Sequence, residues 1–196
     1  MATPQRRQAA ILYVEMRNFT RLSEALEAGK VLQLVNEFLS LAGKVVAANG
    51  GKAVAAHNDS LLAIFTGAEA KQFSASALKT AQDIEREFKP VGERWKTEYG
   101  LAAVVSAGLH LGEAVFGMAE APGTQQFLAF GDCISIAERI LHRARAGEIV
   151  ISLELMKGLG PLVKGLNATE LPALELGKRP PIPIYGMTVE DRLDFT

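Results

Sequence analysis

Residues 50–65 read GGKAVAAHNDSLLAIF. The right half, Ser60 to Phe65, is an unbroken apolar run of strand length. The left half, Lys52 to Asn58, is an extended stretch of small residues. His57, Asn58 and Asp59 between them supply turn chemistry, so the segment predicts a β-hairpin with a carboxylate at its corner. Upstream the pattern is helical: Leu22, Leu26, Val31, Leu34, Val35, Phe38, Leu41 and Val45 recur at spacings of three and four. Thr20 or Ser23 is placed to cap that stretch, and Asn49-Gly50-Gly51 ends it. Downstream, Phe73, Ala77, Leu78, Ala81, Ile84 and Phe88 line one face of a helical stretch over 68–98, which Pro90 is expected to kink or split.

Around this centre the rest of the chain falls into short elements. AAILYVEM (9–16) reads as a buried strand, 101–119 as a long strand broken near Gly108 and Gly112, and 125–130 as another. A helix over 133–145, a strand over 148–152, a short helix over 153–158 and a last strand over 182–187 follow. The order β-α-α-β-β-α-β-β-α-β-α-β predicts an α+β domain, with helices covering one face of a mostly antiparallel sheet. The 196 residues fit one domain over 9–188, with tails at 1–8 and 189–196.

Composition narrows the function. The formal net charge is -1 with both signs spread along the chain, which argues against a nucleic-acid partner. No run of about 18 apolar residues predicts a transmembrane helix, and the N-terminus lacks a signal peptide's apolar stretch. The single cysteine, Cys133, excludes an internal disulfide and reads as a small packing residue. Together these read as a cytosolic chain, or as the cytosolic part of something longer. His57, His110 and His142 have no zinc spacing and read as structural or surface residues. Trp95 reads as an apolar anchor, and Arg6-Arg7 is too short for a nucleic-acid patch.

Three separated segments carry chemistry. In YVEMRNFTRLSE (13–24), Glu15 nears the end of a strand, and a tight turn then leads into a helix N-terminus. Backbone N–H groups at such a turn can hold phosphate oxygens. The second segment is the hairpin with Asp59. In the third, FLAFGDCISIAERI (127–140), Asp132 opens a helix, and Ser135 and Arg139 lie four apart on one of its faces. Two carboxylates on adjacent strands suit a divalent metal. The same residues equally suit solvated turn acids and a helix N-cap.

Together the segments resemble the class III adenylate and guanylate cyclase catalytic domain. YVEMRNFTRLSE is similar to that family's first metal strand and phosphate turn, and GGKAVAAHNDSLLAIF to its glycine-led hairpin. GLHLGEAVFG (108–117), FGDCISIAERI with AGEIVIS (146–152), and PPIPIYGM (180–187) resemble its central strand, catalytic helix with following strand, and terminal strand. The resemblance covers about residues 9–188 in order. It implies a ferredoxin-like, palm-type fold and conversion of ATP or GTP to a cyclic nucleotide with two Mg²⁺ or Mn²⁺ ions. It also implies a head-to-tail homodimer, or a heterodimer with a competent cyclase, that shares its sites between subunits.

Carried over by position, the resemblance makes Glu15 and Asp59 the metal ligands and Asn18, Phe19 and Thr20 the phosphate turn, with Lys178 as a late phosphate contact. It makes Arg139 the transition-state arginine and puts Ser135 where the family keeps a ribose-orienting asparagine. The base-reading positions fall on Ala55 and Leu128, neither of which can read a purine edge by hydrogen bonding. Glu15 is also one methylene longer than the family's aspartate. The pattern implies a degenerate domain with weak or no turnover, acting as a dimeric regulatory or nucleotide- and metal-binding module. The alternative is an active but divergent cyclase.

Overall fold

The computed structural model describes residues 5–121, 124–177 and 179–188. Strand β1 (Gln5–Arg17) lies at the centre of one sheet. It pairs antiparallel with β3 (Ser60–Phe65) on one side and with β4 (Val104–Ala121) on the other. Outside β3 lies β2 (Lys52–His57), the first half of the expected hairpin. Beyond β4 come β6 (Ile149–Ser152), parallel to it, then β8 (Arg179–Met187) and the edge strand β7 (Thr169–Leu176). Strand β5 (Thr124–Phe130) pairs with the outer half of β4, from Val115 to Ala121. The result is the α+β, mostly antiparallel plan read from the sequence.

Several boundaries differ, each for a physical reason. Residues 5–8, expected in a tail, continue β1. They pair only with β4, over Gln5↔Phe116 to Gln8↔Glu113; the side chains of residues 6–8 are exposed, and the stretch lacks a buried strand's apolar run. Arg6 Nε meets Glu113 at 2.8 Å there. Strand β4 runs unbroken through Gly108 and Gly112. Strand β7 was not expected because of its Pro172; at a sheet edge proline costs no ladder bond, and the register shifts beside it. Residues 189–196, expected as a tail, lie outside the described residues.

The helices are α1 (Phe19–Ala25), α2 (Ala28–Ala48), α3 (Ala70–Tyr99), α4 (Asp132–Leu141) and α5 (Leu153–Leu159), with a 3-10 turn over Gly160–Gly165. Helix α3 passes through Pro90 without a break in assignment. Phe88 before the proline and Trp95 after it pack edge-to-face, 5.3 Å apart, and Phe38 of α2 packs on Phe88 at 5.6 Å. This aromatic cluster holds both halves of α3 on the same surface. Helix α2 is long and apolar enough to cross a membrane by length and composition alone, although Lys30, Glu37 and Lys44 interrupt its apolar run. Here Leu34, Val35, Phe38, Ala42, Val45 and Val46 are buried in the core.

Strand alternation distributes the core over both sheet faces. Ala10, Leu12, Val14 and Met16 of β1 enter the larger cluster with α2, α3 and α5. Ala9 and Ile11 enter a second cluster with Cys133 and Ala137 of α4. Helices therefore cover both faces, not one: the periodicity of α4 shows its apolar side but not which side of the sheet it meets. The close seat of α4 depends on Gly108, where a Cβ would lie 2.3 Å from the Leu141 nitrogen and 2.7 Å from the Ala137 oxygen.

Candidate active site

Sheet pairing brings the two candidate metal carboxylates to neighbouring corners. Glu15 sits opposite Ser60 of β3 and Ser106 of β4. The next residue, Met16, donates its backbone N–H to the Asp59 carbonyl at 2.8 Å. Asn58 makes the hairpin corner with φ 50°, a left-handed conformation that asparagine tolerates. Burial pushes the Asp59 carboxyl above the usual carboxylate range, against the charges of His57 and Arg17.

Glu15 is already occupied by a cation. Arg17, two residues on and on the same strand face, places Nη1 2.8 Å from Glu15 Oε1. The two side chains are 20% and 22% exposed, so water screens the pair only in part. The same guanidinium donates Nε to Ser106 Oγ at 3.1 Å and Nη2 to the carbonyls of Leu141 (3.1 Å) and Ala144 (2.7 Å). Ser106 Oγ in turn donates to the Arg145 carbonyl at 2.7 Å. Arg17 thus neutralises the acid on β1 and caps the C-terminal end of α4. Sequence reasoning missed this role, although period-two alternation along β1 puts residues 15 and 17 together.

Two divalent cations, as the resemblance implies, do not fit this arrangement. A fixed positive charge is bonded to one carboxylate and acts on the other, whose burial works against its charged form. Among the described residues no group of three or more His, Cys, Asp or Glu could hold a metal ion.

At the proposed phosphate turn, Asn18 has φ 70° and donates Nδ2 to the Ala102 carbonyl at 2.8 Å. Phe19 packs on the larger core cluster, so its side chain serves packing, while Thr20 is exposed. Helix α1 has only 7 residues and no side-chain cap.

The other half of the site is on α4. Ser135 and Arg139 are exposed and line a cavity of about 270 Å³ with Asp132, Ile136, Leu176 and Arg179. Lys178 lies outside the described residues; its neighbour Arg179 reaches the cavity and meets Asp132 Oδ2 at 2.7 Å. Arg179 was not singled out from the sequence, where it sat beside Lys178 in the GKR run. Neither Glu15 nor Asp59 lines this cavity. Within one chain the carboxylates and the arginine therefore belong to separate surfaces.

The base-reading positions are also apart. Ala55 is exposed on β2, just past a register shift between Ala53 and Ala55, and Leu128 is half-buried on β5 opposite Gly117. Neither lines the α4 cavity. Lys52 Nζ stands 3.5 Å over the Phe127 ring, and Phe127 stacks on Phe116 at 6.2 Å. Those contacts engage the ammonium group of Lys52.

Other residues have structural roles. Cys133 is buried, its thiol donates to the Glu113 carbonyl at 3.2 Å, and burial pushes its pKa up to about 11. It therefore lacks thiolate character at neutral pH. His110 is buried with Nδ1 2.9 Å from Ser152 Oγ, and burial holds its pKa below the usual value. His57 and His142 are exposed.

The family model described as the adenylate and guanylate cyclase catalytic domain matches residues 1–181. An adenylate cyclase of Anabaena cylindrica is 25% identical over 183 residues, covering 91% of this chain and 36% of that protein. Adenylate cyclase 1 of Rhizobium meliloti is 26% identical over 136 residues, covering 69% of this chain and 20% of that protein. The chain thus spans about a third or less of the curated relatives it matches. The adenylyl cyclase CyaB from P. aeruginosa superposes with a TM-score of 0.85 at 22% identity, covering 93% of this chain and 94% of that one. The guanylyl cyclase Cya2 gives 0.83 at 21% identity, covering 93% and 92%. At these identities the structural likeness speaks for the fold.

Proposed function

The chain belongs to the adenylate and guanylate cyclase catalytic domain family, and from that premise we propose that it is a degenerate member. Domains of this family bind ATP or GTP, use magnesium or manganese, and work as dimers. In our reading this chain converts nucleotide weakly or not at all. It serves in the cytoplasm as a dimeric regulatory or nucleotide-binding module, paired head-to-tail with a second copy or with a competent cyclase. One domain takes in residues 9–188 together with residues 5–8 of β1.

The observation that carries this reading is Arg17 bonded to Glu15. A site that spends its first acid on an internal cation has lost a ligand geometry that Mg²⁺ needs near-ideal. Ser135, Ala55 and Leu128 support it, because hydrogen-bonding groups are shortened or gone at three partner-side positions. Losing one positioned transition-state donor typically costs about 10²–10³ in rate, so several such losses leave little turnover. The test is titration of the purified chain with non-hydrolysable ATP and GTP analogues, followed by a cyclase assay in Mg²⁺ and in Mn²⁺. Binding without turnover supports the reading; cyclic nucleotide made at the rates of competent cyclases overturns it.

Asp59 and the two arginines of the α4 cavity favour a second reading, an active divergent cyclase in cyclic nucleotide signalling. Under that reading Asp59→Ala abolishes turnover. An Asp59→Ala variant as active as the parent sinks it. If mixing with a competent cyclase raises activity above either alone, the heterodimer form is favoured.

A further inference from the structure

We propose that Arg17 is a built-in counter-ion that closes the Glu15–Asp59 corner to divalent cations, and that α4 is the lock that keeps it there. The inference concerns cation binding by this chain and stands whether or not the chain turns over nucleotide.

The argument starts from the strand. Residues 15 and 17 share a face of β1, on the side that α4 covers. A guanidinium there can reach back to the carboxylate and forward to the end of α4, and Arg17 does both. Its bonds to Glu15 Oε1, Ser106 Oγ, Leu141 O and Ala144 O engage donors on all three of its nitrogens. Each partner is an acceptor with a negative or partly negative charge, so the cation is satisfied without solvent or ligand.

A divalent ion approaching Glu15 would meet this charge at contact distance. To enter, it must pull the carboxylate from Arg17, leaving a guanidinium with one partner fewer in a partly buried place. If Arg17 swings away instead, the Ala144 carbonyl and Ser106 Oγ lose the N–H they accept from it, and the Leu141 carbonyl keeps only the Ala144 backbone N–H. Cation entry and the seating of α4 therefore oppose each other. Because α4 also carries Ser135 and Arg139, the acid corner and the arginine surface are mechanically joined inside one chain, although they do not share a cavity.

Arg17 is thus a positioning residue, and Mn²⁺ binding is a readout that a purely structural role would not move. The experiment titrates Mn²⁺ alone into the full chain and follows bound ion by electron paramagnetic resonance. Arg17→Met removes the charge and keeps most of the packing. It is expected to bind Mn²⁺ at least about tenfold more tightly than the parent, as expected when a neighbouring like charge is deleted. That gain should vanish in Arg17→Met/Glu15→Gln and in Arg17→Met/Asp59→Asn. Arg17→Lys keeps a charge and should gain nothing. If Arg17→Met does not fold, Arg17→Gln carries the same measurement, since its amide can still donate to the helix carbonyls.

Equal Mn²⁺ affinity in the parent and in the folded uncharged variant overturns the proposal, as does a gain that survives loss of Glu15. The cyclase assay on the parent chain decides the functional reading separately. Turnover there, with the Mn²⁺ gain intact, removes the degenerate reading and leaves this one standing.

Discussion

The two faces of the sheet spend their charges differently. On the side of α2, α3 and α5, buried and half-buried polar groups brace helices around a thick core. Glu37 accepts from Trp95 Nε1 at 3.1 Å and pairs with Arg94. Asp83 accepts from Asn49 at 3.1 Å and pairs with Lys79 and with Arg86 at 2.8 Å. On the α4 side the core is thinner, and the ion pairs stand at the candidate site: Glu15, where family resemblance puts a metal ligand, with Arg17, and Asp132 with Arg179 in the cavity of Ser135 and Arg139. The first face explains how the fold survives at low identity. The second explains how function can drift beneath it, because pairing a former ligand group with a neighbour keeps every charge satisfied.

This contrast can be broken most directly at Trp95. Trp95→Ala removes a fully buried ring and strips Glu37 of a donor. It should cost about 4 kcal/mol, or roughly 8–16 °C in Tm, read by thermal denaturation. A loss below about 1 kcal/mol would mean the thick face is not the main support. Next comes Gly108→Val, whose new carbon meets α4 backbone on two sides. It should cost roughly 3 kcal/mol and lift α4, seen as faster hydrogen exchange along 132–141. Unchanged exchange would show that α4 is not closely seated.

Asp83→Asn sharpens the first half of the contrast. Burial pushes the Asp83 carboxyl up, but the hydrogen bonds of Lys79 and Asn49 and the charges of Lys79 and Arg86 outweigh it and hold the pKa below the usual value. A lowered carboxylate pKa contributes stability that is present above the ordinary value and lost as pH falls through the folded one. The variant should be about 1–2 kcal/mol less stable at neutral pH, with a shallower acid limb in its stability curve. An acid limb identical to that of the parent would refute the assignment.

Asp59→Asn is the smallest and has the opposite sign. Its raised pKa means the native state favours the protonated form, so the stability tied to Asp59 is lost as pH rises through the folded value. The asparagine variant should match the parent in acid and be slightly more stable at neutral pH. Reduced stability at neutral pH would show that the Asp59 charge is used by the fold.

What could be read in advance follows the same division. The hairpin at 52–65 and strand β6 were legible because each carries one strong period and clear stop residues; helix α4 was legible in place, but it ends at Leu141 and not at 145. Strand β7 was not, because Pro172 disguises an edge strand as a loop. Pro90 was expected to interrupt α3, and the Phe38–Phe88–Trp95 packing that spans it is not local in sequence. At the site, strand adjacency brought Glu15 and Asp59 together as expected. The partner of Glu15 was hidden because half of what defines it, the carbonyls at 141 and 144, lies 124 and 127 residues away.

The asparagines at the two acid corners have a consequence of their own. Asn18 and Asn58 are the non-glycine residues with positive φ among the described ones, and each flanks a candidate ligand segment. An asparagine explores fewer backbone states than glycine before folding, so each corner surrenders less disorder when it sets. Asn18 adds a side-chain tether to Ala102. Each corner is therefore cheaper in chain entropy to hold in its native turn than a glycine corner would be.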